Sequence, residues 1–475
     1  MKREKWKENF SEWFNDVVQT AEVMETRYPV KGLYVWMPYG LKLRNSVFSI
    51  LRELLEKSGH QEVLFPLLIP EDLFKKEADH IRGFGGQVYW VTRGGSEELD
   101  VKLALRPTSE TSIYPMFSLW IRSHADLPVK IYQVVNIFRY ETKMTKPLIR
   151  LREVTTFKEA HTAHATAGDA EAQVQEAVRI YKQFFDELGV PYVVTKRPPW
   201  DTFAGAEYSI AFDTLAPDGR TLQIGTVHKL GQNFSKVYDI TYEKPDGSHE
   251  HVYQTCYGIS ERAVAAVVMV HGDDNGLCIP PEVAPVQVVI VPIPYKAKDV
   301  PIAQAAAAVK NELVAAGLRV QLDDRDLRPG SKYYYWERKG VPLRIEIGPE
   351  DLAKNQVTAV LRDTGEKKAV PKSALKAKVK QMLVEISAKL KESSTKAFRE
   401  AIKDAESLDD ARGWLEKNGG IVRVAWCGQE SCGKGIEEKT GGEVLGEELG
   451  GKPPSNSCPV CSGKSKLSVL VAKAY

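Results

Sequence analysis

Residues 129–141 limit the possible folds more than any other stretch, because they spell a long β-strand. β-Branched and aromatic residues dominate the stretch, and its side chains fall on two faces with a period of two. One face carries Val129, Ile131, Gln133, Val135, Ile137, Arg139 and Glu141. A strand that runs this whole length places Arg139 and Glu141 side by side on one surface.

The residues that follow turn back toward this strand. Residues 138–152 spell FRYETKMTKPLIRLR, in which a lysine-rich loop is followed by Arg150 and Arg152 on one strand face. The pattern predicts an antiparallel hairpin that directs charge at a bound ligand, since a guanidinium group matches phosphate oxygens in a bidentate way. Cross-strand ion pairing on a solvated sheet is the alternative.

The rest of the chain divides into segments of different pattern. Residues 4–27 and 40–57 place apolar side chains at helical spacing. Prolines at 280–286 mark a linker, after which strands and helices alternate as in a small α/β domain. A lysine-rich helical stretch at 371–405 and a cysteine-bearing segment close the chain. The predicted fold class is therefore α/β multidomain.

Two short stretches add candidates for chemistry. GISER at 258–262 opens an apolar helix and places Arg262 in its first turn, where the helix dipole disfavours a cation. Either Glu261 is a local partner of this arginine or the arginine holds a polyphosphate. RPTSET at 106–111 also precedes a helix. Taken alone, it favours helix capping by Thr108 or Ser109.

Four of the six cysteines lie near the end of the chain, as a C-x4-C pair and a C-x2-C pair: Cys427, Cys432, Cys458 and Cys461. They match the ligand count of a structural zinc site, and four free thiols are the alternative. His161 and His164 are also close in sequence. No carboxylate or cysteine stands at a matching spacing, which disfavours a metal there.

Composition excludes a membrane-spanning protein. The chain is 43% hydrophobic and 27% charged, as in ordinary globular proteins, and its net charge of +2 leaves nucleic-acid binding to local patches. No apolar run approaches the ~20 residues of a membrane span, and the first ten residues lack the apolar core of a signal peptide. We expect a soluble, cytoplasmic protein.

Together these stretches resemble the three motifs of class II aminoacyl-tRNA synthetases. Pro38 with the helix after it, the FRYE of 138–141 and the GISER of 258–262 stand in the order and spacing of those motifs. Five further stretches narrow the resemblance to prolyl-tRNA synthetases of the archaeal and eukaryotic type: PTSET, KEAHTAHAT (158–166), TFAGAEYS (202–209), TVHKLGQNFSK (226–236) and RPGSKYYYWERKGVPLR (328–344).

The resemblance implies a three-domain architecture. Residues 1–285 are expected to form the class II catalytic domain, an antiparallel sheet flanked by helices. Residues 286–375 would be an α/β anticodon-binding domain, and residues 376–475 a C-terminal zinc-binding α+β domain.

The resemblance also implies an activity, in which proline is activated by ATP with Mg²⁺ and transferred to the 3′ end of tRNA(Pro). Arg139, Arg262 and Glu141 would be the catalytic residues. ATP would contact Arg139, Glu141, Arg150, Gln223, Thr226, His228 and Arg262. Proline would contact Thr108, Glu110, Arg139, Phe157, Glu159, His161 and Phe203. Phe157 stands where many relatives carry tryptophan.

Further implications concern the other partners. Glu337 and Arg344 would contact the anticodon, whereas the aromatic run 333–336 is better explained as a buried helix face than as a base-stacking surface. The four C-terminal cysteines would hold structural Zn²⁺, the chain would form a homodimer, and Tyr475 would fold back toward the catalytic domain. Residues 154–257 leave no room for an editing domain, which implies misactivation of alanine and cysteine.

Two other classes of function compete with this interpretation. A threonyl, glycyl or histidyl enzyme would share the fold, but a threonyl enzyme needs zinc in its amino-acid pocket, and the sequence suggests no cysteine–histidine set near Arg139. A catalytically dead, RNA-binding paralogue usually loses an ATP-site arginine or the amino-acid loop. Here the arginines are present, as are Thr108 and Glu110.

Overall fold

The structure is a computed structural model that describes residues 5–76, 86–294, 300–451 and 457–475. Its α-helices are α1 (Phe10–Thr20), α2 (Pro38–Lys57), α3 (Glu71–Lys75), α4 (Glu110–Trp120), α5 (Ala167–Glu187), α6 (Asn233–Val237), α7 (Arg262–His271), α8 (Val300–Ala315), α9 (Pro329–Arg338), α10 (Pro349–Ala353), α11 (Leu375–Glu400), α12 (Leu408–Lys417) and α13 (Glu430–Thr440). Short 3₁₀ turns lie at His124–Asp126, Pro199–Asp201 and Lys372–Ala374.

The strands fall into two large sheets and three small ones. They are β1 (Met24–Glu25), β2 (Val35–Trp36), β3 (Gln61–Glu62), β4 (Leu68–Pro70), β5 (Tyr89–Gly94), β6 (Glu97–Leu105), β7 (Val129–Phe138), β8 (Glu153–His164), β9 (Val193–Lys196), β10 (Tyr208–Leu215), β11 (Thr221–Gly231), β12 (Thr241–Glu243), β13 (His249–His251), β14 (Tyr253–Ser260), β15 (Val288–Pro292), β16 (Val320–Leu322), β17 (Leu343–Ile347), β18 (Gln356–Leu361), β19 (Lys367–Pro371), β20 (Ile402–Asp404), β21 (Ile421–Trp426), β22 (Glu443–Glu448) and β23 (Leu467–Ala472).

The largest sheet is built around an antiparallel centre. Its strand order is β20-β21-β23-β22-β9-β10-β11-β14-β8-β7-β3, with parallel pairing only at the two ends, β20 with β21 and β3 with β7. Helices α2, α5 and α7 bury their apolar sides against it in one continuous core. This is the antiparallel sheet flanked by helices that the resemblance to class II synthetases implies.

Helix α1 confirms the apolar spacing near the start of the chain but is shorter than predicted. Phe10, Trp13, Phe14 and Val17 are all buried on one side of it. The helix ends at Thr20, and Glu22 two residues later has a φ of 58°, a left-handed conformation that a helix cannot continue through.

A second sheet forms the predicted small α/β unit. Its order is β16-β15-β17-β18-β19, parallel for the first three strands and antiparallel for the rest. Helices α8 and α11 cover a core of branched aliphatic residues on this sheet. The fold class is therefore confirmed, while the residue boundaries proposed for the three domains stay a prediction.

The last part of the chain returns to the main sheet. Strand β22 pairs with β9 through Glu447–Lys196 and Glu448–Thr195, so the C-terminal strands extend the main sheet. Helices α12 and α13 pack over β21 and β23 around the cysteines. None of the helices in the described part of the chain is long and apolar enough to cross a bilayer.

The hairpin is confirmed, but the position of its charged residues is corrected. Strands β7 and β8 are antiparallel neighbours, yet β7 ends at Phe138 and β8 begins only at Glu153. Arg139, Glu141, Arg150 and Arg152 therefore belong to the connecting loop and do not alternate on strand faces. The Phe138 N–H donates to the Arg106 carbonyl (2.9 Å), and beyond the strands the Arg139 N–H still donates to the Arg152 carbonyl (2.9 Å).

Candidate active site

A cavity of about 450 Å³ opens on the face of the main sheet, between the β7–β8 loop, α7 and the segment that follows β9. All the residues predicted to contact ATP or proline line it: Thr108, Glu110, Arg139, Glu141, Arg150, Phe157, Glu159, His161, Phe203, Gln223, Thr226, His228 and Arg262. The structure thus brings the predicted set together from six separate segments.

One end of the cavity is strongly cationic. Backbone carbonyls aim the arginines: Arg262 Nε donates to Ile149 (2.9 Å) and Arg139 Nε donates to Pro107 (3.1 Å). Burial, helped by repulsion from Arg139 and Arg150, lowers the pKa of Arg262 to about 10. Three guanidinium groups that repel one another at one site form a suitable binding site for a polyanion such as a nucleoside triphosphate.

A second part of the cavity, its carboxylate end, holds two buried carboxylates in a dense hydrogen-bond network. Thr108 Oγ1 donates to Glu110, and Ser109 Oγ donates to Glu159. Gln133 Nε2 donates to Glu159 Oε1 (3.0 Å) as well. A fixed carboxylate beside a hydroxyl is a complementary partner for a small ammonium group.

This network corrects the expectation that Thr108 or Ser109 caps α4. Ser109 does occupy the N-cap position, but its side chain makes no capping hydrogen bond. Both hydroxyls are committed to carboxylates instead. The charged hydrogen bonds explain this, since they are about twice as strong as neutral ones.

His161 is fixed deep in the same end. Its Nδ1 shares a hydrogen bond with the Tyr114 hydroxyl (3.0 Å), and its Nε2 lies 3.4 Å from Glu159 Oε2. His164, on the other face of the strand, is bonded to Thr162 (2.8 Å). In the described chain the two histidines do not occur together in a cluster of possible metal ligands.

The structure does, however, overturn the expectation that no cysteine–histidine set lies near Arg139. Possible ligand atoms of Glu110, His161 and Cys256 lie within 4.8 Å of one another, and all three residues are buried. Burial raises the pKa of the Cys256 thiol, and a hydrogen bond to Glu110 raises it further. Cys256 comes from β14, 90 or more residues away in sequence, so only the sheet register could reveal it.

Two phenylalanines form an aromatic part of the cavity wall. Phe203 stacks on His228 with ring centroids 4.6 Å apart. Ser209 Oγ holds both residues, since it accepts from the Phe203 N–H (3.0 Å) and bonds His228 Nδ1 (2.7 Å). Phe157 lies under the Arg139 guanidinium at 6.0 Å.

Several residues at the cavity were not predicted from the sequence to belong to it. Arg197, Trp200, Asp201 and Glu261 line the cavity, and Gln133 and Ser109 brace it from behind. Gln133 gave a usable signal, because a polar residue on the otherwise apolar face of a buried strand requires a partner. The other residues gave no comparable signal.

The four C-terminal cysteines converge. Their sulfurs lie within 4.8 Å of one another, and only Cys461 is exposed. Although burial opposes ionisation, backbone N–H groups lower the pKa of Cys458 to about 7. Four thiols at one point, one with a readily formed thiolate, fit a tetrahedral Zn²⁺.

The predicted anticodon contacts lie on the second sheet and its helix. Arg344 on β17 stacks on Tyr333 (4.1 Å) and pairs with Glu346 (2.9 Å), while the Glu337 carbonyl accepts from Arg362 (3.0 Å). In the aromatic run, Trp336 is buried as expected, but Tyr334 is 47% exposed.

Tyr475 folds back onto the main sheet, as expected. Its hydroxyl donates to Asp218 Oδ2 (2.6 Å), and its N–H donates to the Thr221 carbonyl (3.1 Å). The Lys146 ammonium of the β7–β8 loop lies 4.8 Å from its ring. The end of the chain therefore touches the loop that carries the arginines.

Family models match three successive parts of the chain. Residues 89–271 match the class II tRNA synthetase core domain (G, H, P, S and T), and residues 287–382 match an anticodon-binding domain. Residues 408–475 match the C-terminal domain of prolyl-tRNA synthetase.

Full-length relatives agree. The chain is 54% identical to a proline–tRNA ligase of Methanococcoides burtonii, covering 99% of this chain and 98% of that one. It is 50% identical to the enzyme of Pyrococcus abyssi over the full length of both. Among solved structures it is similar to the Giardia lamblia prolyl-tRNA synthetase in complex with prolyl-adenylate, with a TM-score of 0.95, 38% identity, and coverage of 100% and 99%.

Proposed function

The chain belongs to the proline–tRNA ligase family and joins proline to tRNA, and from this premise we propose how its residues share the work. One observation carries the proposal. A single cavity has a carboxylate–hydroxyl end at Thr108 and Glu110 and a three-arginine end at Arg139, Arg150 and Arg262. An amino acid and a nucleotide can therefore meet head to tail inside it.

Proline occupies the carboxylate end in this proposal. Its secondary ammonium donates one N–H to Glu110 and the other to the Thr108 hydroxyl, and the carboxylate balances its charge. Phe157 and Phe203 contact the apolar ring. Glu159 and His161 hold the wall behind it through the bonds to Ser109 and Tyr114.

ATP occupies the cationic end together with Mg²⁺, which enters as part of the MgATP substrate. Arg139 holds the α-phosphate, and Arg262 holds the terminal phosphates with help from Arg150. Glu141 accepts from the adenine amine. Gln223, Thr226 and His228, neighbours on β11, face the ribose and phosphate side.

The reaction needs no protein nucleophile. A carboxylate oxygen of proline attacks the α-phosphorus in line, the bond to the bridging oxygen breaks, and pyrophosphate leaves with its electron pair. Arg139 stabilises the charge that develops on the α-phosphate, and Arg262 stabilises the leaving group. The 3′-hydroxyl of the tRNA terminal ribose then attacks the prolyl carbonyl and releases AMP.

The remaining assignments concern assembly and fidelity. We assign the anticodon contact to Glu337 and Arg344, the structural Zn²⁺ to the four C-terminal cysteines, and the domain borders to residues 285 and 375. A cytoplasmic homodimer is the proposed working form. Because α5, α6 and strands β9 to β13 make up the connection between β8 and β14, we propose that no editing domain is inserted and that alanine and cysteine are misactivated.

The test is amino-acid-dependent ATP–pyrophosphate exchange with purified protein and each of the twenty amino acids. We expect strong exchange with proline and weaker exchange with alanine and cysteine. Stronger exchange with threonine or glycine would contradict the pocket assignment. Exchange with proline alone, at high concentrations of the other amino acids, would contradict the proposed misactivation.

A further inference from the structure

We propose that Trp200 is a positioning residue through which the C-terminal segment, residues 408–475, sets the affinity of the cavity for proline. The inference rests on the proposed function, because it takes Phe203 as part of the proline wall. Trp200 lies in the 3₁₀ turn Pro199–Asp201, three residues before Phe203.

The Trp200 side chain is held by the C-terminal segment. Its indole packs edge-on against Trp426 at 6.0 Å, its Nε1 donates to Glu437 Oε1 (3.3 Å), and the Lys434 ammonium lies 4.7 Å above the ring. A Cβ on Gly433 would come within 2.2 Å of the indole Cη2. Helix α13 therefore has a glycine where the tryptophan needs space.

The backbone before Trp200 is attached to the same segment. Arg197 Nη1 and Thr195 Oγ1 both donate to the Leu445 carbonyl of β22, at 2.7 and 2.9 Å. Gly446 passes so close that a Cβ there would come within 2.1 Å of the Lys196 carbonyl oxygen. The strand that leads into the turn is thus fixed from the C-terminal side.

Hydrogen bonds and ring stacking connect Trp200 with the residues of the cavity wall that follow it in sequence. The Asp201 N–H donates to the Pro198 carbonyl (2.9 Å), and Thr202 Oγ1 donates to the same carbonyl (3.1 Å). Phe203 follows directly, tied to Ser209 and stacked on His228. Residues 200–203 all line the cavity.

The segment between β9 and β10 depends on such support. Strand pairing stops at Lys196 and resumes at Tyr208, so no sheet ladder orders the residues between them. Ordering a free loop costs conformational entropy that ligand binding would otherwise have to supply. Packing Trp200 on α13 orders the aromatic wall before proline arrives.

The test uses a variant outside the cavity. Gly433→Ala should push Trp200 from its place and raise the KM for proline about tenfold, since small displacements of positioning groups have effects of this order. The KM for ATP and the kcat should stay within about twofold. Gly413→Ala is the matched control, because that helical glycine lies in the same segment and a Cβ there meets no atom within 4 Å.

A second variant, Trp200→Ala, keeps the inference testable if Gly433→Ala does not fold. It should raise the KM for proline in the same way. An unchanged KM for proline in both folded variants overturns the inference. A parallel loss of kcat and of ATP affinity, shared by Gly413→Ala, overturns it too, because the effect is then general destabilisation. Absence of proline-dependent exchange in the unaltered chain instead indicates failure of the proposed function.

Discussion

At the residue scale, the carboxylate end of the cavity is defined by charge in a buried place. Glu110 and Glu159 are each only 3% exposed, yet both are held by hydroxyl and amide donors. Such a site is costly to leave without a cation. Arg139 interacts electrostatically with both carboxylates. In the proposed binding mode the substrate ammonium adds a second cation, which links amino-acid binding to the phosphate-binding side.

Glu110→Gln keeps the size of this side chain and removes its charge. We expect the KM for proline to rise about 10- to 100-fold, in line with the ~1.5–3 kcal/mol of a hydrogen bond to a charged group. The measurement is proline-dependent pyrophosphate exchange at saturating ATP. Ser112→Ala is the control, because its hydroxyl bonds only the Ser109 carbonyl in α4. Equal effects of both changes would contradict the ammonium-binding role.

Glu261 offers a pH test at the same scale. Thr155 Oγ1 donates to its carboxyl group (2.8 Å), and Trp36 Nε1 donates in turn to Thr155 (2.7 Å). Burial raises the pKa of Glu261 from 4.5 to about 8, even though Arg44 is near. The folded chain therefore keeps a proton that the unfolded chain releases. The resulting stability is complete below pH 4.5 and is lost as the pH rises through 8.

Glu261→Gln removes this titration. We expect the melting temperature of the unaltered chain to fall relative to that of the variant as the pH is raised from 5 to 8, measured by scanning fluorimetry. Glu443→Gln, on an exposed strand end, should follow the unaltered chain throughout. If the Glu261→Gln curve also runs parallel to that of the unaltered chain, Glu261 is ionised in the folded protein.

A cavity residue could be predicted from the sequence only where it belongs to a short local motif. Arg139, Arg262 and the Thr108–Glu110 pair were accessible from short motifs, and the structure gathers them. Ser109 was misjudged, because local sequence favours a helix cap and only the distant Glu159 shows what its hydroxyl bonds. Cys256 and Trp200 reach the cavity through sheet register and a three-residue turn, which no local rule specifies.

At the element scale, the β7–β8 connection shows why periodicity alone overextends strands. The residues from Arg139 onward keep the alternating pattern, but their guanidinium groups must converge on one point in the cavity. A regular strand would space them about 7 Å apart on one face. The chain leaves the ladder at Phe138, and backbone carbonyls aim the arginines instead.

The turn that follows helix α7 is joined to the α/β unit by an ion pair that sequence could not predict. Both oxygens of Asp273 accept from Arg362 at 2.7 Å, and Asp273 also accepts from the backbone of Asn275 (2.8 Å). Arg362 is almost fully buried. The neighbouring Asp274 pairs with Lys5 on the surface.

Asp273→Asn should therefore destabilise the chain far more than Asp274→Asn. For Asp273→Asn we expect the free energy of unfolding to fall by about 2–3 kcal/mol. This is just below the range for breaking a buried pair, because the Asp273 carboxylate is partly exposed. For Asp274 we expect about 0–1 kcal/mol, as for exposed pairs. The free energies of unfolding of the two variants are measured by urea unfolding and compared. Similar losses in the free energy of unfolding would show that the Asp273–Arg362 pair does not connect the two parts of the chain.

At the scale of the whole molecule, the C-terminal segment is part of the catalytic sheet. Strand β22 pairs with β9, Tyr475 bonds Asp218 and Thr221, and Trp200 packs on α13. The sequence identified this segment by its cysteines and composition but gave no sign of the β9–β22 pairing, because pairing across about 250 residues leaves no local pattern. Its folding and the order of the cavity are consequently coupled.

Because the C-terminal segment and the cavity are coupled, the metal content of the chain can also be tested. The described chain holds two clusters of possible ligands, the four C-terminal cysteines and the Glu110–His161–Cys256 set. Only the first has four soft sulfur ligands, which favour Zn²⁺, whereas the second offers one thiol, one imidazole and one carboxylate. We expect one zinc per chain by atomic emission, lost in Cys458→Ser and kept in Cys256→Ser.

Loss of zinc should lower the melting temperature, because metal binding at a site that forms only in the folded chain adds to folding stability. It should also raise the KM for proline, since the cysteines surround α13, on which Trp200 packs. Cys256→Ser that loses the metal, with Cys458→Ser retaining it, would place the zinc in the cavity. Trp200 would then be held by its contacts with Trp426, Glu437 and Lys434 without support from a metal in the C-terminal segment.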